Sequence, residues 1–117
     1  MTNQQLFDTV ATHLLTQRTR SIATKNGVTR CAYRGRKGTR CAIGCLIPDD
    51  RYDATFEGFA VKKPEIRKAA GLRSAQLPLA EELQQIHDMI IHPSLWRGAL
   101  RIVARERRLS MSVLDKE

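Results

Sequence analysis

The chain has 117 residues, 42% hydrophobic and 5% aromatic, and its 20 Lys and Arg against 12 Asp and Glu leave a formal charge of +8. That length fits a single domain, 1–117, able to bury a core without disulfides or metal. No apolar run approaches the roughly 18 to 20 residues of a membrane span, and Met-Thr-Asn-Gln-Gln at the start lacks the basic-then-apolar pattern of a secretory signal. Three cysteines without an export signal point to reduced thiols, so the expected location is the cytoplasm, with no membrane partner.

Thr2 followed by Gln5 has the form of a capping box. Leu6, Phe7, Val10, Ala11, Leu14 and Leu15 then recur at helical spacing, predicting a helix from about Thr2 to Gln17. Lys25-Asn26-Gly27 is turn chemistry, and Val28–Arg34 reads as a first strand. Arg34-Gly35-Arg36-Lys37-Gly38 then turns back toward Thr39–Ala42, with Gly38 in the left-handed position. If Gly35 lies opposite Thr39, Tyr33 lies opposite Cys41, and Cys31 shares their face. The apolar run from Cys41 to Ile47 is either the end of this hairpin or a short helix stopped before Pro48.

Pro48–Asp53 and Phe56–Phe59 read as loop. Lys63–Gly71 carries an early Pro and Glu, late basic residues and a terminal Gly, which together predict a short helix. A longer helix is expected over Pro78–Ile91, with Leu79, Leu83, Ile86 and Ile90 as its core stripe. His92-Pro93 breaks it, and Ser94 is placed to cap a final helix over Leu95–Arg108. Leu95, Trp96, Ala99, Leu100, Ile102 and Val103 form its apolar face; Arg97, Arg101, Arg105 and Arg108 form a row on the other. The expected fold is therefore α+β: an N-terminal helix, a short β-hairpin and two long C-terminal helices around one core, or a mainly helical version of it.

Charge is concentrated. Between Asp8 and Asp49 there is no acidic residue, while Arg18, Arg20, Lys25, Arg30, Arg34, Arg36, Lys37 and Arg40 fall in that interval. A positive surface of this kind attracts nucleic acid or an acidic protein patch. The candidate partner-binding residues are Arg30, Arg34, Arg36, Lys37 and Arg40 with the row Arg97, Arg101, Arg105 and Arg108; the plain alternative is a solvated face. The hairpin's one aromatic, Tyr33, falls on the core face in the register above, and no recognised nucleic-acid motif is present.

Cys31, Cys41 and Cys45 converge under either reading of the 41–47 segment, as core thiols or, with a fourth ligand from His13, His87, His92 or an Asp, as an alternative zinc site. A reactive thiol would need a nearby cation, which Arg30 and Arg40 could supply. His87 and Asp88 are adjacent on a helix and so are expected to diverge, with His87 and His13 at the edge of the core. Asp49, Asp50, Asp53 and Glu57 read as solvated charge facing the hairpin, and Trp96 as a core anchor. No serine or glycine motif of a known catalytic site is present, so no catalytic residue, no cofactor and no enzymatic activity are expected.

Cys31-Ala-Tyr-Arg-Gly, Arg40-Cys-Ala-Ile-Gly-Cys-Leu-Ile-Pro-Asp-Asp-Arg-Tyr52, Phe56-Glu-Gly58 and Leu83-Gln-Gln-Ile-His-Asp88, with Trp96 and Leu100 following, together resemble a group of small proteins of tailed phages and prophages. The similarity spans about Leu6 to Leu109. In that group the hairpin tip tends toward Pro-Asp-Gly, where this chain has Gly35-Arg36-Lys37-Gly38. The resemblance implies a phage gene product acting in the cytoplasm of a bacterial host and carries no catalytic residue. The resulting expectation is an accessory protein that binds a host macromolecule through its basic surface, modulating defence or gene expression. A direct DNA or RNA binder and a zinc-stabilised domain or small enzyme are the alternatives.

Overall fold

The computed structural model describes residues Met1–Asp115 as an α+β domain in which helices predominate. Helix α1, Asn3–Gln17, starts where Thr2 Oγ1 accepts the Gln5 N–H and Gln5 Oε1 accepts the Thr2 N–H. It stops at Arg18, whose φ of 56° takes the chain out of the helix. Its buried stripe of Leu6, Phe7, Val10, Ala11 and Leu14 packs on α3, Leu77–Met89, and α4, Trp96–Glu106. Leu79, Leu83 and Ile86 of α3, with Trp96, Leu100, Val103 and Ala104 of α4, complete the centre of the core. Trp96 anchors it, fully buried, with its indole N–H donating to Ile90 O at 3.1 Å. Short helix α2, Pro64–Ala69, adds Ile66 and ends before Gly71 at φ 72°. Among the described residues no helix is long and apolar enough to cross a membrane.

The hairpin lies one strand earlier than expected. Strands β1, Ile22–Lys25, and β2, Val28–Cys31, pair antiparallel around Asn26-Gly27, with φ of 53° and 78°. That is the positive-φ pair a two-residue hairpin turn demands, so these residues join two strands where they were expected only to precede one. The anticipated return strand Thr39–Ala42 does not form. One bridge, Arg34 to Arg40, remains, with Gly35 N–H donating to Thr39 O at 2.9 Å around a turn at Arg36–Gly38. The amides that would extend it are taken elsewhere: Ala32 N–H by Ser21 O at 3.0 Å, and Tyr33 and Arg34 N–H by the Glu57 carboxylate at 2.9 and 3.1 Å.

The apolar run from Cys41 to Ile47 is neither strand nor α-helix but contains a 3₁₀ turn at Gly44–Leu46. Another 3₁₀ turn, Pro93–Leu95, leads into α4, and no side chain caps it, so Ser94 sits inside a turn and not at a cap. Helix α4 also ends earlier than the charge row suggested. Leu109 N–H reaches back to Ala104 O at 2.8 Å and Arg108 N–H to Arg105 O at 3.3 Å, leaving Arg108 outside the helix at φ 56°. Leu95 and Ile102 are 59% and 55% exposed, because the buried face is centred on Trp96, Leu100, Val103 and Ala104.

Candidate functional site

The β1–β2 ribbon projects cations. Arg30 pairs with Ala23 and Lys25 with Val28, and these directly opposed residues share one side of the ribbon. Thr24 and Thr29 occupy the other side, their hydroxyls 2.8 Å apart, and Arg36 reaches across from the next turn to donate to Thr24 Oγ1. Lys37 stands exposed at that turn with φ 57°. Lys25, Arg30, Arg36 and Lys37 have no acidic partner among the described residues.

Two other candidate cations, Arg34 and Arg40, are committed internally. Arg34 donates to Gly44 O and Ile47 O, each at 2.7 Å, and to Asp49 Oδ1 at 3.1 Å, with its guanidinium 4.8 Å from the Tyr52 ring centroid. It closes the end of the 3₁₀ turn. Arg40 shares Asp49 at 2.9 Å. The row on α4 divides: Arg101 pairs with Asp115 at 2.8 Å, Arg105 and Arg108 are exposed, and Arg97 lines a groove of about 480 Å³ with Arg18 and His92. The acidic segment facing the hairpin is likewise structural. Glu57 holds two backbone amides and accepts from Tyr52 O–H at 2.5 Å, and Asp53 caps Thr55, whose two hydrogen bonds hold that carboxyl below its usual range.

At the root of the ribbon lies a cleft of about 350 Å³. One wall is the end of β2 and the residues after it, Cys31, Ala32 and Tyr33, with Cys41. A second is the loop Gly58–Val61, tied down by Tyr33 O–H donating to Phe59 O at 2.6 Å. The third is the polar side of α3: Glu81, Gln84, Gln85 and Asp88. Gln84 is fully engaged, accepting the Ile43 N–H at 3.0 Å and donating to Asp88 Oδ1 at 2.8 Å.

His87 and Asp88 do not diverge. His87 is fully buried, and the Ser21 N–H donates to its Nε2 at 2.8 Å; the ring hydrogen therefore sits on Nδ1 and is donated to Asp88 Oδ1 at 2.8 Å. At the last turn of α3 the carboxylate folds back over the ring, which the 100° step between neighbouring Cα–Cβ directions does not forbid. His13 is half-buried and bonds Arg40 O at 2.9 Å; burial lowers its pKa, while the bond to Arg40 O acts in the opposite direction.

The three thiols do not gather at one point. Cys31 and Cys41 line the cleft, whereas Cys45 donates to Ala42 O at 3.0 Å outside it. Cys45 is tied to Cys41 through the backbone, its N–H donating to Cys41 O at 3.2 Å, but its thiol is spent on Ala42 O and not on the cleft. Burial pushes Cys41 and Cys45 up to about 12. Burial and then Asp88 raise Cys31, against the pull of Arg20, whose Nη2 donates to its sulfur at 3.0 Å. None is an activated thiolate. Cys31, His87 and Asp88 do present ligand-type atoms within 4.8 Å of one another. His87 cannot offer Nδ1 to a metal while Nε2 accepts the Ser21 amide, because that would require an imidazolate.

Phe59, Glu81 and Gln84 are cleft residues that sequence reasoning did not single out, and Asp88 was weighed only as a neighbour expected to diverge from His87. Phe59 lay in a stretch read only as loop, and Glu81 and Gln84 fall between the apolar positions that mark the helix. The chain matches no protein-family model, no curated protein and no solved structure.

Proposed function

We propose that this protein binds nucleic acid through the β1–β2 ribbon and the adjoining turn, as a phage-encoded accessory protein acting in the cytoplasm of a bacterial host. The observation that carries the reading is the set Lys25 and Arg30 on the ribbon with Arg36 and Lys37 on the adjoining turn: four cations with no carboxylate partner among the described residues. Phosphate is the complement of such a surface, and counterion release from the strand supplies the driving force. Arg34 and Arg40 support the ribbon's base and belong to the fold more than to the interface.

The test is a salt titration of affinity for a short labelled oligonucleotide. Neutralising four phosphates gives a log–log slope of about −3 for a single strand, a loss of roughly sixtyfold between about 50 and 200 mM salt. Arg30→Ala with Lys37→Ala should flatten the slope to about half. No binding at about 50 mM salt would end the nucleic-acid reading. Recovery of a host protein that survives nuclease treatment and depends on the same residues would replace it with an acidic protein partner.

A further inference from the structure

In the cleft at the ribbon's root acceptors outnumber free donors, the exposed Gln85 amide being the main donor group left open. Gln84 has both ends of its amide engaged within the fold, and Tyr33 gives its only hydrogen to Phe59 O. Asp88 Oδ1 accepts from both His87 and Gln84, while Oδ2 has no partner among the described residues and the side chain is 34% exposed. The buried Ser21–His87 contact thus fixes a carboxylate whose second oxygen is available. Glu81, seven residues earlier on α3, adds another acceptor about 10 Å along the wall.

A ligand for this cleft must bring donors on its own edge. In a chain of formal charge +8 a free cation is repelled at long range, which favours a neutral donor edge attached to an anion. Two cations stand at the rim: Arg20, which donates to Asp88 O and to Cys31 Sγ at 3.0 Å each, and Lys63, whose Nζ is 3.5 Å from the Phe59 ring centroid. Phe59 lines the cleft yet keeps 52% of its surface in solvent, which gives an aromatic face at the entrance. Acceptors within, a ring for stacking and cations outside are the three contacts that an unstacked base in a single strand uses.

We infer that the cleft receives one guanine of a single strand held on the ribbon, a proposal that rests on the nucleic-acid reading above. Guanine is the base whose N1–H and N2 amino group are adjacent donors on one edge, both within reach of the free Oδ2 of Asp88; the ring stacks on the face of Phe59 that Lys63 does not cover, and the flanking phosphates face Arg20 and Lys63. Thymine presents one N–H between two carbonyls and is disfavoured by the same wall. The volume of about 350 Å³ is within the usual range for a small-molecule site.

The test measures anisotropy of a labelled oligothymidylate against the same strand with one central guanine, and with inosine, which lacks the N2 amino group. The guanine strand should bind about tenfold tighter than oligothymidylate, with inosine between them. Asp88→Asn and, independently, Phe59→Ala should close that gap; Phe59 is exposed, so its variant keeps the test valid if the His87 network does not tolerate Asp88→Asn. Equal, salt-dependent affinity for all three strands would overturn the guanine site and leave the ribbon reading intact. Absence of binding to any strand would overturn both. A guanine preference that survives both variants would move the base away from this cleft.

Discussion

Gly44→Ala and Gly98→Ala, the same chemical change at two helical-turn positions, should shift stability in opposite directions. A Cβ on Gly44 would stand 2.4 Å from Tyr33 O and 3.1 Å from its carbonyl carbon and Cα. Carbon–oxygen contact begins at about 3.3 Å, so the backbone would have to separate by roughly 0.9 Å. Tyr33 cannot yield readily, because Glu57 holds its amide at 2.9 Å and Phe59 O holds its hydroxyl at 2.6 Å. Overpacking of this kind costs about 3 kcal/mol, and removing glycine from the unfolded chain returns up to about 1 kcal/mol, for a net loss near 2 kcal/mol. At Gly98, in α4, nothing lies within 4 Å of the added carbon. Only the gain of about 0.5–1 kcal/mol remains there. Thermal unfolding followed by circular dichroism should show Gly44→Ala melting about 8–10 °C lower and Gly98→Ala about 2–4 °C higher than the parent chain. Equal shifts, or a Gly44→Ala variant as stable as the parent, would refute the packing of the Gly44 turn against Tyr33, and with it the placement of Cys41 in the cleft wall.

His87→Phe keeps an aromatic ring beside Trp96 but orphans the buried Ser21 N–H and frees Asp88, so urea unfolding should register a loss of about 2–4 kcal/mol. Arg34→Lys cannot span Gly44 O, Ile47 O and Asp49 together and should lower stability by about 1–2 kcal/mol, while the salt slope of oligonucleotide binding stays that of the parent. The folded chain holds the Cys41 and Cys45 protons up to about 12, whereas an unfolded thiol releases its own near the ordinary 9.0. Their contribution to stability is therefore complete below pH 9 and is lost as pH rises from there through about 12; Cys41→Ala should reduce this alkaline loss in denaturant midpoints measured across that window. For the same reason, iodoacetamide at pH 8 should label Cys41 and Cys45 in the native chain far more slowly than in urea, as read by mass spectrometry.

The elements that could be read from sequence carry their instructions locally. The Thr2–Gln5 box marks the start of α1, and Pro64, Glu65 and Gly71 bracket α2, because capping and φ constraints act over three or four residues. The apolar stripe of α3 was legible for the same reason, at Leu79, Leu83 and Ile86. The hairpin was displaced because β1 is four residues long and carries no polar–apolar alternation across its half-buried Ile22-Ala23 and exposed Thr24-Lys25. Its partner β2 looked extendable to Arg34 until Glu57, far along the chain, claimed the Tyr33 and Arg34 amides. A helical wheel likewise could not tell that Leu95 and Ile102 fall outside the α4 contact, since the side facing α1 and α3 is set by packing.

The cleft was hidden for a further reason: α3 has two different jobs on two sides. Leu79, Leu83 and Ile86 make one side a core surface, which a period of 3.6 announces; Glu81, Gln84 and Asp88 make the other resemble any solvated face. What distinguishes them from ordinary surface is the loop Gly58–Val61 lying opposite and the Ser21 amide fixing His87 from behind, at separations of more than twenty and more than sixty residues. Neither contact leaves a trace in composition or spacing. The ribbon cations, by contrast, were conspicuous as an uncompensated run, but sequence could not sort those that meet Asp49 from those that meet solvent. Arg34 and Arg40 share that one carboxylate, whereas Lys25, Arg30, Arg36 and Lys37 meet none among the described residues, a division that only the folded chain reveals.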